Sequence, residues 1–128
     1  MQKKALRICS GSTYLAHTDP IFYRLCTLKV QDVNILQTAT LMYKASIGKV
    51  PSQFSDLFVS NRDVHNYCTR NATNYHLYNP ILTITHRSIR HAGPDVWNSL
   101  SNDIKNRPSV LSFRMAMKKN LIKMYKSS

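Results

Sequence analysis

Five histidines, three cysteines and six aspartates are the side chains that could hold a metal or carry catalysis. Their spacing argues against both. Cys9, Cys26 and Cys68 form no Cys-x-x-Cys, and no histidine pair three to five apart follows a cysteine pair, as a tetrahedral zinc site would need. His86 and His91 lie five apart on a segment that reads as extended, where they would point to opposite faces. A serine nucleophile on a G-x-S-x-G elbow is absent. The aspartates are scattered singly, whereas metal-assisted phosphoryl chemistry needs them clustered, and three isolated glycines cannot build a phosphate-cradling loop. The residues therefore assign no catalytic group, no metal and no cofactor, and the chain is not expected to be an enzyme by itself.

The cations are the stronger signal. Lys and Arg number 18 against six acids, for a net charge of +12, and glutamate is absent. Such a balance implies an anionic partner, nucleic acid ahead of an acidic protein or membrane surface. From Ile104 onward the chain holds Lys105, Arg107, Arg114, Lys118, Lys119, Lys123 and Lys126 and no acid. Arg87 and Arg90, with His91, precede them. These nine Lys and Arg residues are the candidate contacts to an RNA or DNA backbone, because neutralising phosphates releases counterions and binds without reading sequence. A lysine-rich face also keeps an amphipathic helix soluble, so both readings stand. Seven tyrosines, mostly mid-chain, could stack on unpaired bases if exposed.

The elements that position these groups are mainly helical. Gln2 to Cys9 has Ala5, Leu6 and Cys9 on one face and is broken by Ser10-Gly11-Ser12. It starts without a capping residue, which suggests a piece of something longer. Thr18-Asp19-Pro20 opens a second helix, with Ile21, Phe22, Leu25 and Cys26 as its apolar stripe. Asp32 is placed as the cap of a third, over 33–47, whose stripe is Leu36, Ala39 and Tyr43, closed by Gly48. Pro51 to Phe58 can make one or two turns that put Phe54, Leu57 and Phe58 on the core. Residues 60–80, polar and rich in Asn and Tyr, read as a long loop or irregular hairpin. Residues 81–84 and 87–91 look extended and are placed as a small β-hairpin. Ser109 caps the last helix, about Val110 to Tyr125, with Val110, Phe113, Met117, Leu121 and Met124 inward and Lys119, Lys123 and Lys126 on the opposite face.

Between hairpin and last helix stands Gly93-Pro94-Asp95-Val96-Trp97, read as strand, sharp corner, helix. Gly93 takes backbone angles closed to other residues, and Pro94 suits a helix's first position. Trp97, the sole tryptophan, turns inward one turn later as a packing anchor. The expected fold is a single small domain over 1–128, mainly α with a small β-hairpin element. No apolar run spans a membrane and no signal peptide is visible, so membrane partners are not expected and an intracellular site, nuclear or cytoplasmic, is.

Read end to end, the chain resembles the C-terminal region of the polymerase frame of non-LTR (LINE-type) retrotransposons of the jockey-like and chicken-repeat-like group. The likeness begins at Met1 to Ile8, Gly11-Ser12 and His17 to Phe22. It runs on through Leu28 to Val33, Met42-Tyr43-Lys44, Gly48, Pro51, His65-Asn66-Tyr67 and Thr69-Arg70. Ser88-Ile89-Arg90, Gly93-Pro94 and Trp97-Asn98-Ser99-Leu100 are its clearest part, followed by Ile104-Lys105 and Ser112-Phe113. Ser101 replaces an expected proline, Cys68 interrupts the Tyr-Thr-Arg spacing, and the paired-aspartate polymerase motif is missing. The resemblance implies a non-catalytic region following the thumb of a reverse transcriptase. Its expected partners are nucleic acid and the upstream polymerase domain of the same element. The alternative is an independent small basic module that binds nucleic acid or protein.

Overall fold

A computed structural model of the chain describes residues 1–64, 70–79 and 81–126. The fold is mainly α. The described helices are α1 Gln2–Cys9, α2 Asp19–Arg24, α3 Val30–Ser46, α4 Ser52–Ser55, α5 Asn61–Val64, α6 Thr83–His86, α7 Ile89–Asn98, α8 Asn102–Lys105 and α9 Val110–Met124. The chain divides into two compact units, Met1–Leu36 with Arg114–Ser128, and Gln37–Phe113.

Three helices end in the same way. Gly11 and Gly48 have φ of +63° and +69°, and the amide that follows each reaches back over the last turn, Ser12 N–H to Arg7 O at 3.0 Å and Lys49 N–H to Lys44 O at 2.8 Å. Cys26 ends α2 with the same pattern, Thr27 N–H to Phe22 O at 3.1 Å, but at φ 49° it bears a side chain in a left-handed conformation. The α2 stripe is accordingly shorter than the periodicity suggests: Ile21 and Phe22 are buried, whereas Leu25 and Cys26 lie past the helix and are exposed. On α1 only Leu6 is buried.

The first unit closes around Tyr125. Its hydroxyl donates to Asp32 and accepts the Lys29 N–H at 3.2 Å, and its ring lies 5.9 Å from that of Phe22. The Lys29 ammonium sits 4.7 Å from the Tyr125 ring centroid and pairs with Asp19 at 2.8 Å. That ammonium, as hydrogen-bond donor, holds the Asp19 carboxyl below its ordinary range. Gln2 donates to Leu28 O at 2.9 Å and accepts the Val30 N–H at 3.1 Å. This corrects the expected start of α3. The helix begins at Val30, before Asp32, because remote side chains, Gln2 and Tyr125, take up the amides at its N-terminus. Asp32 stands in the first turn and serves Tyr125.

The second unit is built on aromatic rings. Phe58 and Tyr75 lie 5.9 Å apart, Tyr75 and Trp97 6.1 Å, Trp97 and Phe113 6.3 Å, and Phe113 stacks on Tyr43 at 4.5 Å. Trp97 is 4% exposed, as its inward placement requires. Ala39, Met42 and Tyr43 of α3 and Phe113 of α9 are buried in this unit, and Leu36 of α3 and Met117 and Leu121 of α9 are buried in the first. Ser109 caps α9 by accepting the Ser112 N–H at 3.2 Å. Met124 is exposed and Tyr125 takes the inward position one residue on. Phe58 is buried but Phe54 is not.

The β-hairpin is not formed at its expected place. Residues 83–86 are α6, and α7 starts at Ile89 from Ser88. Ile81, Leu82 and Ile84 are exposed, so the alternation that suggested a strand has no core face to bury; a short helix satisfies the backbone within itself instead. Among the described residues the strand-like pairing is a single bridge, Ser60 to Tyr75, which closes the 60–80 segment at its base. His65 to Thr69 and Pro80 of that segment lie outside the described residues.

The Gly93-Pro94 corner is also corrected. Both residues are inside α7, and Gly93 is not in the left-handed region. Its small size serves packing: a Cβ there would lie 2.7 Å from Met42 Sδ and 3.3 Å from Phe58 Cε1. Pro94, buried beside it, cannot donate to the Arg90 carbonyl, an interior helix position that proline ordinarily disfavours. One turn later Asn98 makes two bonds with the Tyr75 backbone, accepting its N–H at 3.0 Å and donating to its carbonyl at 2.8 Å. A side-chain amide thus pairs with the segment as a neighbouring strand would.

Candidate nucleic-acid interface

The sequence-derived cations fall into both units. Arg114, Lys118, Lys119 and Lys123 stand on α9 and Lys126 just beyond it, all exposed in the first unit. The helix brings Lys118, Lys119 and Lys123 to the rim of a groove of about 660 Å³, with Arg24 at the end of α2 as a fourth cation. Tyr23, Met115 and Ile122 supply apolar surface and no acid among the described residues lines the groove. Periodicity places Lys119, Lys123 and Lys126 on one face with Lys118 beside it, and of these Lys118, Lys119 and Lys123 line the groove. Arg24 was missed, because nothing in the sequence places the end of α2 beside the last helix.

Arg87, Arg90, Lys105 and Arg107 belong to the second unit, where Arg90 and Lys105 line separate cavities. Arg87 follows α6 and is exposed. Arg90 lies over the Tyr78 ring at 4.6 Å, beside a shallow cavity of about 220 Å³ shared with His91. Arg107 is exposed, and its carbonyl accepts the Tyr43 hydroxyl. Lys105 is partly withdrawn. Its ammonium donates to Asn74 Oδ1 at 3.0 Å and sits 5.6 Å from the Trp97 ring centroid, and burial lowers its pKa. It lines a cavity of about 560 Å³ with Arg62 and Arg70, two cations of the polar 60–80 segment that composition alone did not single out.

Of the tyrosines, Tyr43 and Tyr125 are buried and Tyr75 is half-buried, with its hydroxyl pKa raised by burial. Tyr14, Tyr23 and Tyr78 are exposed enough for a base to stack, and Tyr67 lies outside the described residues. His86 and His91 are not on opposite faces as expected: their rings meet at 4.6 Å, since the segment is helical. Among the described residues no three His, Cys, Asp or Glu side chains come together as a metal site would need. Cys9 and Cys26 are free, exposed thiols, and Cys68 lies outside the described residues.

Trp97 leaves one unmet demand. Its indole N–H is buried without a hydrogen-bond partner among the described residues, a state that costs about 1–3 kcal/mol when nothing else accepts the proton. No helix among the described residues is long and apolar enough to cross a membrane. Comparison with family models, curated proteins and solved structures gives no match.

Proposed function

We propose that the chain binds nucleic-acid backbone through the cationic face of α9, as the non-catalytic C-terminal region of a non-LTR retrotransposon reverse transcriptase. The observation that carries the binding is the groove rimmed by Lys118, Lys119, Lys123 and Arg24, with no acid among the described residues of its lining. Among the described residues the ion pair that forms is Lys29 with Asp19, so the α9 cations are not neutralised by carboxylates. Four like charges held at one rim repel one another, and a polyphosphate relieves that repulsion while releasing its own counterions. The parent element rests on the resemblance of the Ser88 to Leu100 run and its flanking motifs. In that setting the region positions template RNA or target DNA, and the polymerisation chemistry belongs to the upstream domain.

Binding to single-stranded RNA and duplex DNA measured against salt tests this reading. Affinity is expected to fall steeply, with a log–log slope on duplex DNA of about −0.9 per phosphate neutralised. Replacing Lys118, Lys119 and Lys123 by Gln should flatten that slope by about 2–3. Salt-insensitive binding, or an unchanged slope in the triple variant, overturns the proposal.

A second reading, docking on the upstream polymerase, is favoured by Ile81, Leu82 and Ile84. These three apolar side chains stand exposed together around α6. Co-expression with the polymerase domain should protect this segment from hydrogen exchange if it docks there.

A further inference from the structure

We propose that the cavity lined by Trp97 in the Gln37–Phe113 unit is a binding pocket for a nucleoside monophosphate group, either free or at the end of a strand. The site uses none of the α9 residues, so it stands apart from the backbone-binding face.

Its volume, about 560 Å³, falls in the range of small-molecule pockets. Arg62, Arg70 and Lys105 all reach its lining, and no acid among the described residues does. Two guanidinium groups offer planar forks suited to phosphate oxygens, and an ammonium adds a point charge. Thr73 and Asn102 add neutral polar groups to the lining.

Trp97, 4% exposed, closes the floor of the cavity, with the Lys105 ammonium 5.6 Å from its ring centroid. The pocket therefore combines three cations, and what they lack among the described residues is an anionic, acceptor-rich group. Half-buried Tyr75, edge to face with Trp97 at 6.1 Å, gives the aromatic surface that a base needs beside its phosphate.

Trp97 is the sole tryptophan, so its emission reports on this cavity directly. Titration with AMP should give a saturable change in that emission. Arg62→Gln with Arg70→Gln should raise the AMP dissociation constant about tenfold or more while the helical circular dichroism stays intact, since both side chains are exposed. The α9 triple Gln variant should bind AMP as the wild type does, which separates this pocket from the backbone-binding face. A short 5′-phosphorylated oligonucleotide that binds more tightly than both AMP and its 5′-hydroxyl counterpart identifies a strand end as the source. Equal or weaker binding than AMP identifies the free nucleotide. The proposal is overturned if neither AMP nor the phosphorylated oligonucleotide gives a saturable response at millimolar concentration. It is also overturned if the double arginine variant binds as tightly as the wild type, or if inorganic phosphate competes as well as AMP.

Discussion

The two units are held by different physics. In the Met1–Leu36 and Arg114–Ser128 unit, Tyr125 is a polar hub: one hydroxyl serves Asp32 and the Lys29 amide while Lys29 lies against its ring. In the Gln37–Phe113 unit, Trp97 is a link in a run of five aromatic rings, and its polar atom has no hydrogen-bond partner among the described residues. The first centre depends on protonation and on hydrogen-bond geometry, the second on buried area. The contrast also locates opportunity for ligands. The Tyr125 hydroxyl is committed to Asp32 and the Lys29 amide, whereas Arg62, Arg70 and Lys105 line an open cavity beside the aromatic run.

The largest effect expected from breaking this contrast is at Trp97. Trp97→Ala removes the middle of the ring run and should destabilise the protein by about 3–5 kcal/mol in urea denaturation. If stability is kept and only nucleic-acid binding is lost, Trp97 is a contact residue and its role as anchor is wrong.

Tyr125→Phe keeps the ring and removes the hub's hydroxyl, and should cost about 1–2 kcal/mol by leaving the Lys29 amide without its acceptor. Its pH dependence sharpens the comparison. Burial first, then the bond to Asp32, pushes the Tyr125 hydroxyl up to about 12 from 10.0. The folded value is raised, so the stabilisation is complete below pH 10 and is lost as pH rises through about 12. Wild-type stability should therefore decline over that window more steeply than that of Tyr125→Phe.

Gly93→Ala gives the smallest effect and the clearest sign test. Helix propensity alone predicts a gain of about 1 kcal/mol for alanine in a helix interior. The 2.7 Å approach to Met42 Sδ predicts the opposite, a net loss of about 1 kcal/mol, because overpacking outweighs propensity. Combining the change with Met42→Ala should show a favourable coupling energy, since the side chain that the new methyl meets is gone.

Local rules carried much of the helical architecture. Gly48 closing α3, Ser109 capping α9 and the inward rows of Leu36, Ala39 and Tyr43 or Phe113, Met117 and Leu121 each follow from residues within a turn or two of one another. The face of Lys119, Lys123 and Lys126 rests on the same spacing along one helix, and of these Lys119 and Lys123 line the groove, together with Lys118 from the flank. Strand propensity misled at 81–91, where β-branched side chains had no face to bury.

What the sequence determined by itself is therefore whatever depends on short separations: helix periodicity, caps, the excess of positive charge and the need to bury a lone tryptophan. The tertiary structure decided what depends on residues far apart in the chain. It set α3 starting on Gln2 and Tyr125, Gly93 kept small by Met42 and Phe58, and Asn98 pairing with Tyr75. It also set Arg24 beside α9 and Arg62 and Arg70 beside Lys105. The physical reason is the same in each case. A hydrogen-bond partner, a steric limit or a neighbouring charge is fixed by which segments pack together, and no local pattern of residue types specifies that choice.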